Sequence, residues 1–580
     1  MKKNISYIQK IGIQTNPENL ISYDIENEFY RKDYTELIRS LTIYIYVNLS
    51  NRYSFISKKE RYHLLLPVLG YISGEWSTYI INTFYHLKES PLRKSIKNQK
   101  KNISLKDIIF NVKPLSSYTE NSESLYYDEN IRSLISIILD NDEANNKVIN
   151  KFITKESSSL KKETLNKKEA FDLRKSLLKY LRKIKHNNLI CGYNFFSVLK
   201  ILFLTFNNDV KNIYYGSRNH TNKFIKKNLQ NNQNILDKYF SSAQKELFAD
   251  LVFLYLPLKI HPSNLQEWMT NEKKTFLHPI KFCGPYVRDI KVIKSMFIQR
   301  LNKKIIIGSQ HGSNYGYSFN HIKNDFSEFL LDGFISTGYK SKYTSKWPKP
   351  YLGFFPISPL FAKLTKNNHK ENTIGNPFTC LYVETQFNLC KSVSTDRMNY
   401  SPTIAKINTY KLIKSFLDAI DEKDFDRLFI KPWIFEEKIS PLKDSNLLSL
   451  RNIKIVKSKL STFIKKFEGL IILDDLSTPM LESIVLNKPI LIIISRLNRH
   501  TPLGEKFFEQ MQKNKYIVSS IKEAKETIKK FQQNPKKYKE NQKKLFKEFR
   551  SVYCNPEYYS PRFTAFEINK TLKSSSKKLE

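Results

Sequence analysis

The sequence predicts an α/β protein built from two Rossmann-like domains with a helical N-terminal extension. Three observations support this fold class. The chain has 580 residues, more than one hydrophobic core usually organises. Short aliphatic runs, which are typical of strands buried on both faces of a parallel sheet, recur from residue 305 onwards. Helical patterns separate these runs, and strand, helix, strand is the order of elements in a βαβ unit.

The stretch around residue 305 gives the clearest strand signal. Three isoleucines, Ile305–Ile307, are followed at once by Gly308 and a polar segment. Gly308, Gly312 and Gly316 are three of only fifteen glycines, and they predict a loop at the carboxyl end of the strand. Ligands of open α/β sheets bind at that end. His311 lies in this loop and can titrate near neutral pH, so it is a candidate for acid–base chemistry; a satisfied structural histidine is the alternative.

The helical extension is predicted from an apolar pattern near the amino terminus. Ser57, with Glu60 three residues later, has the spacing of a capping box. Apolar residues then recur at helical spacing from Leu65 to Phe84, which predicts a core-facing helix rather than a ligand site. Residues 215–220, in contrast to this helix, are predicted to form the end of a strand and the start of a loop.

Prolines and the change of pattern predict the domain boundaries. Four prolines between residues 348 and 359 predict an interdomain crossing at residues 346–376, and the first domain is placed at residues 1–360. The second is placed at residues 361–555, where strand and helix patterns alternate most regularly. Residues 556–580 are predicted to be a tail whose end, from about Lys573, is disordered.

The charge of the chain predicts an anionic partner. A formal net charge of +41 would attract nucleic acid, a phospholipid surface or a nucleotide. The lysines are scattered rather than gathered into blocks, so most of them are interpreted as solvated surface charge. Five cysteines without a CxxC pair argue against a disulfide framework and against a zinc site, and they fit a reducing cytosol.

Membrane insertion is not expected from the sequence. The amino terminus lacks the apolar core of a signal peptide. The longest apolar stretch, residues 64–84, contains Pro67, Gly74 and Glu75, which makes it a poor membrane span. We therefore expect a soluble, cytoplasmic protein, with peripheral contact to an anionic inner membrane left open.

The second candidate site is the helix start at Ser477. The segment Asp474–Glu482 follows an aliphatic run and opens a helix, with Pro479 at an early helical position, where proline is well tolerated. Ser477 or Thr478 can cap this helix, and its free backbone N–H groups can bind an anion. Glu482, about one turn further along, is within reach of a ribose or sugar hydroxyl. An ordinary N-cap with a solvent-facing glutamate is the alternative.

Three further charged residues are candidates for the same chemistry. Lys431 ends an aliphatic strand and can place a cation near the phosphates, although a solvated lysine is the alternative. Asp332 and Glu328 can orient His311 or act as a base, and either can equally be a surface acid. Neither GxGxxG nor GxxxxGK[ST] occurs, which argues against a P-loop NTPase and against a standard dinucleotide oxidoreductase.

Four segments, taken in order, carry a resemblance to a known family. They are Arg61–Gly70, Leu254–Pro257 with Gln310–Gly316, Glu328 and Asp332 with Ile335–Gly338, and Ser477–Glu482 with Asn487–Pro489. Their order and spacing resemble the transferases encoded in O-antigen and other surface-carbohydrate gene clusters, which are similar to two-domain GT-B glycosyltransferases. Ser313 stands where that family has a second glycine, and Thr337 and Tyr339 stand where it has tryptophans.

The resemblance implies a GT-B-like arrangement, with an acceptor site on the amino-terminal domain and a nucleotide-activated sugar on the carboxyl-terminal one. It implies that His311, with Asp332 and Glu328 as the other catalytic candidates, acts as the base or binds the donor phosphate. Ser477, Thr478 and the helix amides would stabilise the departing phosphate. The predicted substrate- and donor-binding residues are Gln310, Gly312, Tyr315, Lys431, Asp475, Ser477, Thr478 and Glu482.

We therefore predict a glycosyltransferase that builds a surface polysaccharide, such as the O antigen of lipopolysaccharide. Its expected partners are a nucleotide-sugar donor and a glycan or lipid-linked glycan acceptor, with no specific nucleic acid and no metal or other cofactor. Two alternatives stay open. The charge motivates a basic nucleic-acid-binding protein, although no RNA-binding signature is present. The departures at Ser313 and Thr337 motivate a degenerate transferase that acts as a scaffold.

Overall fold

The computed structural model contains two separate parallel β-sheets with helices packed on them. It describes residues 28–89, 134–135, 137–139, 147–151, 190, 192–271, 278–283, 290–310, 317, 331–339, 349–361, 364, 374–384, 402–432, 440–495, 502–554 and 560–577. Among these residues, no helix is both long enough and apolar enough to cross a lipid bilayer.

The helices and strands are numbered in chain order. The helices are α1 (Glu28–Asn51), α2 (Lys58–Glu89), α3 (Phe195–Leu204), α4 (Lys211–Asp237), α5 (Ser242–Leu254), α6 (Pro262–Asn271), α7 (Ile290–Leu301), α8 (Pro402–Asp418), α9 (Leu460–Lys466), α10 (Thr478–Val485), α11 (Pro502–Lys513), α12 (Ile521–Gln533), α13 (Pro535–Tyr553) and α14 (Pro561–Lys577). The strands are β1 (Ile280–Cys283), β2 (Ile305–Ser309), β3 (Gly333–Ile335), β4 (Phe354–Phe355), β5 (Thr379–Val383), β6 (Arg427–Lys431), β7 (Ile453–Ile455), β8 (Leu470–Leu473), β9 (Ile490–Ile493) and β10 (Ile517–Val518). Short 3₁₀ turns lie at Leu258–Ile260, Glu422–Asp424 and Leu447–Ser449.

The amino-terminal helices form a core of their own that continues onto the first sheet. Helix α2 begins directly after Ser57, as predicted, and its apolar residues between Leu65 and Phe84 are buried. Helices α1, α4 and α7 pack against it. Residues in this core reach from Leu37 in α1 to Ile306 in β2, so the helical extension and the sheet share one hydrophobic interior.

The prediction of a strand and loop at residues 215–220 is wrong, because these residues lie within α4. Buried positions along α4, such as Tyr214, Ser217, Arg218 and Thr221, recur at helical spacing. A Cβ on Gly216 would come within 2.3 Å of the Tyr351 hydroxyl oxygen. The glycine therefore serves close packing inside a helix rather than a turn.

The first sheet has the strand order β1-β2-β3-β4, with every neighbouring pair parallel. Strand β2 confirms the strand predicted at Ile305. Its side chains alternate between two layers, because Ile306 belongs to the core formed with α1, α2 and α7, whereas Ile305 and Ile307 belong to a core formed with α3 and α14. Both faces of the first sheet are thus covered by helices, as a parallel sheet requires.

Helix α14 returns to the first sheet after the chain has completed the second. Ala565, Ile568 and Leu572 of α14 are buried in the core that contains Ile305 and Ile307. The prediction of disorder from about Lys573 is therefore wrong for residues 573–577, which form the end of this helix. The buried residues at i, i+3 and i+7 give α14 an apolar stripe, although the helix as a whole has a polar composition.

The second sheet has the strand order β10-β9-β8-β5-β6-β7, and all of its strands are parallel. The chain starts at the central strand β5, builds outward through β6 and β7, and then crosses to the other side of β5 to build β8, β9 and β10. This is the strand order of the doubly wound dinucleotide-binding fold. The alternation predicted for residues 380–494 is confirmed.

Candidate functional site

The order of strands in the second sheet creates a crevice between β5 and β8. These two strands are neighbours, but the chain leaves them towards opposite edges of the sheet. In sheets with such a switch point, ligands bind in the crevice outside the carboxyl ends of the two strands. Glu384 follows β5, and Asp474–Ser477 follows β8 and leads into α10. The helix start predicted as an anion site thus lies at the switch point of the sheet.

Ser477 is the N-cap residue of α10, and its side chain does not cap the helix. Its backbone is extended (φ −101°, ψ −173°), while the hydroxyl makes no hydrogen bond to the first-turn amides. The Oγ atom is buried without a hydrogen-bond partner among the described residues. Pro479 lies in the first turn, and no acidic residue does, so the positive end of the helix is not neutralised from within. These features suit an external anion.

Glu482 presents an unpaired carboxyl group on the same helix. The residue is half-buried, and burial raises the pKa of its carboxyl group to about 7, while the charge of Lys459 acts in the opposite direction. Within the described part of the chain, no group hydrogen-bonds this carboxyl. Desolvation without a compensating partner costs free energy, and a ligand hydroxyl would relieve that cost.

Three other acidic groups near the crevice are already hydrogen-bonded. The buried Tyr382 hydroxyl donates to Asp474 Oδ2 at 2.9 Å, and this contact joins β5 to the end of β8. The Ser440 hydroxyl donates to the Glu384 carboxylate. Asp475, a predicted binding residue, is half-buried, and its Oδ1 accepts the backbone N–H of Leu476 at 2.7 Å. Asp474, Asp475 and Glu384 therefore follow β5 and β8 as acids that are already hydrogen-bonded within the protein.

Backbone carbonyls already hold the ammonium group of Lys431. Its Nζ donates to the backbone carbonyls of Val456 (3.2 Å) and Ser458 (2.9 Å), and only 8% of the residue is exposed. These carbonyls follow β7, which lies on the side of β6 away from β5 and β8. The Lys431 backbone carbonyl also accepts the N–H of Glu384 at 3.0 Å, so the residue lies beside the end of β5, and its role near the donor phosphates stays a prediction.

Asp332 lies at the opposite edge of the first sheet from Gln310. Asp332 directly precedes β3, and its backbone and Oδ2 pair with Ile306 at the start of β2. Gln310 and Thr337 follow the carboxyl ends of β2 and β3. The five steps along the chain from Asp332 to Thr337 span about 16 Å in extended conformation. His311, which Asp332 was predicted to orient, lies outside the described residues, so that role stays a prediction.

The Asp332 carboxylate instead anchors a fully buried charge network. Its Oδ1 accepts a hydrogen bond from Arg300 Nη1 at 2.8 Å, and its Oδ2 accepts the backbone N–H of Ile306 at 2.6 Å. Arg300 Nη1 also donates to His63 Nε2. All three side chains have no solvent exposure. The network ties α2, α7 and the first two central strands together, which is a structural role for Asp332.

His63 is held neutral in this network. Burial, and then the positive charges of Arg300 and Arg218, lower the pKa of His63 well below its ordinary value. A neutral ring accepts from Arg300 at Nε2 and donates from Nδ1 to Thr221 Oγ1, which lies 3.2 Å away. Sequence reasoning did not assign His63, because its partners come from segments distant in the chain.

Gln310 braces the carboxyl edge of the first sheet. Its backbone N–H donates to Ile335 O at 2.8 Å, and its Oε1 accepts from both the N–H and the hydroxyl of Thr337, each at 3.0 Å. Thr337 Oγ1 also lies 2.8 Å from Tyr553 O at the end of α13. Gln310 is 1% exposed, and these hydrogen bonds fix the end of β2 against the end of β3.

Four predicted site residues lie outside the described residues. They are His311, Gly312, Tyr315 and Glu328. Their roles in catalysis and substrate binding therefore stay predictions. Of the predicted residues that are described, the structure brings Asp475, Ser477, Thr478 and Glu482 together at the switch point of the second sheet.

Comparison with known protein families identifies the chain at the family level. A protein-family model described as LIC12162 family transferase matches residues 66–557. The chain belongs to this family of transferases. The match begins within α2 and ends just beyond α13, so it includes both sheets and the crevice between β5 and β8. No curated protein and no solved structure matches the chain. Of the functions considered from the sequence, the family supports the transferase.

Proposed function

We propose that this transferase is a glycosyltransferase that binds a nucleotide-activated sugar at the crevice between β5 and β8. The observation that carries the proposal is the start of α10 at the switch point, where the Thr478 N–H occupies the first helical position and where, among the described residues, the Ser477 hydroxyl and the Glu482 carboxyl have no hydrogen-bond partner. An anionic group with hydroxyls nearby satisfies all three. A nucleotide sugar combines a diphosphate with a ribose and a sugar.

The helix amides and Ser477 would act on the phosphate. Negative charge grows on the diphosphate as the bond to the sugar breaks, and fixed N–H and O–H donors stabilise that charge without reorganising. The N-terminal end of α10 adds its own positive potential. Glu482, one turn further along, would accept a hydrogen bond from a ribose or sugar hydroxyl. Because its pKa is raised to about 7, this acceptor is fully ionised only above neutral pH.

The acceptor would bind at the carboxyl edge of the first sheet. Gln310 and Thr337 hold the end of β2 rigidly, and the segment that contains His311 starts there. In this proposal His311 is the base that accepts the proton of the acceptor hydroxyl, or it binds the donor phosphate. The contact of Thr337 with Tyr553, together with the return of α14, links elements of both sheets, as a GT-B-like arrangement with a surface polysaccharide acceptor would need.

A nucleotide panel tests the donor site. We expect one of cytidine, uridine or guanosine diphosphate to raise the melting temperature, because a ligand at about 100 times its Kd stabilises the native state by about 2.7 kcal/mol. Ser477→Ala should weaken that nucleotide about tenfold, the effect of losing one hydrogen bond to a charged group. The variant should fold normally, since the Ser477 hydroxyl has no partner among the described residues.

The matched control is Ser551→Ala on the exposed side of α13, which should bind the nucleotide like the unaltered protein. Titration by calorimetry gives the affinities. The proposal is wrong if no nucleotide or sugar nucleotide stabilises the protein even at millimolar concentration. It is also wrong if Ser477→Ala and Ser551→Ala bind the nucleotide equally well.

A further inference from the structure

Exposed aromatic side chains are concentrated on one part of the molecule. Ten large hydrophobic residues of the described chain are exposed, and six of them lie on α3, just after it, or on α14. These six, which we call the aromatic face, are Phe196 (78% exposed), Phe203 (82%), Leu204 (39%), Phe206 (41%), Phe563 (42%) and Phe566 (60%). Contiguous apolar surface of this kind marks an interaction site in a soluble protein.

The aromatic face follows from the sequence of each helix. In α3, Phe196 and Phe203 are seven residues apart and share one side, while Val198 and Ile201 on the other side are buried against the sheet. In α14, Phe566 is exposed beside the buried Ala565 and Ile568. Each helix therefore has two apolar sides, and the sheet covers only one of them.

The two helices are fixed next to each other. Asn569 Nδ2 of α14 donates to Leu204 O at the end of α3 at 3.0 Å, and Asn208 Nδ2 donates to Asn569 Oδ1 at 2.9 Å. At the other end, the hydroxyls of Tyr193 and Thr564 hydrogen-bond to each other. Both helices contribute to one core on the same side of the first sheet. Their uncovered sides therefore form a single rigid surface.

Basic side chains accompany the exposed rings. Lys200 lies between Phe196 and Phe203 on the outer side of α3 and is exposed. Arg562, Lys570 and Lys573 are exposed on α14, and Glu567, which is half-buried, is the acidic residue of that helix. Rings flanked by lysine and arginine are the composition of helices that lie in the interface of an anionic bilayer.

We propose that the aromatic face docks the protein onto the surface of a membrane that contains anionic lipids. Phenylalanine rings enter the boundary between headgroups and acyl chains, and the basic side chains contact lipid phosphates. A second copy of the chain would satisfy the rings but would oppose two positively charged surfaces. The inference does not depend on the proposed sugar donor. It would bring the enzyme to lipid-linked acceptors if that proposal holds.

Vesicle flotation of the full chain tests the docking. We expect the protein to float with phosphatidylcholine vesicles that contain phosphatidylglycerol, and to bind them at least about tenfold more weakly when the triple variant Phe196→Ser/Phe203→Ser/Phe566→Ser is used. Lys570→Glu/Lys573→Glu should weaken binding and remove its dependence on phosphatidylglycerol. Phe378→Ser is the matched control, since Phe378 is 47% exposed just before β5.

Melting temperatures and size-exclusion chromatography complete the test. Each variant should melt like the unaltered protein, because the substituted side chains are exposed. Failure of the unaltered protein to bind anionic vesicles would overturn the proposal, as would equal losses in the triple variant and in Phe378→Ser. A dimer in solution that the triple variant dissociates, without vesicle binding, would assign the face to a second copy instead.

Discussion

The two sheets use their charged side chains in opposite ways. At the amino edge of the first sheet, Asp332, Arg300 and His63 are fully buried and hydrogen-bonded to one another. At the carboxyl edge of the second sheet, the Ser477 hydroxyl and the Glu482 carboxyl have no partner among the described residues. Arg300 Nε and Nη2 in the first group are also buried without a hydrogen-bond partner among the described residues. The two regions therefore differ in how their acids are paired: Asp332 forms an ion pair with Arg300, whereas no described group hydrogen-bonds the Glu482 carboxyl.

This contrast separates a structural role from a ligand-binding one. A buried polar group without a hydrogen bond costs about 1 to 3 kcal/mol. Such groups at the switch point of a doubly wound sheet lower the stability of the free protein. A ligand that hydrogen-bonds to them would remove this destabilisation. Asp332 was predicted from the sequence to be catalytic, but its pairing makes it part of the scaffold, and Glu482 is the acid that stays available.

Asp332→Asn should give the largest loss of stability. An amide at this position can no longer accept from both Arg300 and the N–H of Ile306, so a buried guanidinium loses its counter-charge. Breaking a buried ion pair costs about 3 to 5 kcal/mol, measured here by urea unfolding at pH 7. Asp209→Asn, at an exposed position, should change the free energy of unfolding by less than about 0.5 kcal/mol. Equal stability of the two variants would contradict a structural role for the network.

Glu482→Gln should change how stability depends on pH. Since the pKa of Glu482 is raised to about 7 in the folded protein, folding retains the proton, and the stabilising contribution is complete below the unfolded value near 4.5. It is lost as the pH rises towards 7 and is absent above that. The variant lacks this term, so relative to the unaltered protein it should gain about 1 to 3 kcal/mol between pH 5 and pH 8.

Melting curves of both proteins across this range measure the effect. Glu526→Gln on the exposed side of α12 is the control, and its difference from the unaltered protein should not vary with pH. A difference for Glu482→Gln that is constant between pH 5 and pH 8 would mean that this carboxyl is solvated or paired, and the contrast between the two sheets would then fail.

Thr337→Val should give the smallest effect. Valine keeps the shape of threonine but loses the hydroxyl that contacts Gln310 Oε1 and Tyr553 O. We expect a loss of about 0.5 to 1.5 kcal/mol in unfolding free energy, the usual net contribution of one hydrogen bond, because the backbone N–H of residue 337 still donates to Gln310 Oε1. Thr571→Val, which removes a hydroxyl bonded within α14, should cost less. If Thr337→Val loses no more unfolding free energy than Thr571→Val, the contact between the Thr337 hydroxyl and Gln310 does not stabilise the fold.

The sequence predicted what local signals encode. The isoleucine run of β2 and the proline at the start of α10 are visible within a few residues, and both elements form where they were expected. The apolar stripe of α2 is visible for the same reason. The position of α10 at a switch point is not, because that depends on which strands become neighbours.

The remaining features depend on partners that are distant in the chain. In the sequence, Asp332 is an acid close along the chain to a candidate histidine. Its contact with Arg300 becomes visible only in the folded structure. Lys431 is captured by carbonyls that follow another strand. Helix α14 has a polar composition, so the sequence does not show that three of its apolar residues pack on the first sheet.

The return of α14 to the first sheet also constrains the order in which the protein can fold during synthesis. Residues 561–577 leave the ribosome after every strand of both sheets has been synthesised. Until then, the side of the first sheet that carries Ile305 and Ile307 lacks part of its cover. The first sheet therefore cannot complete its core before the second has been translated, although amino-terminal units usually fold first during synthesis.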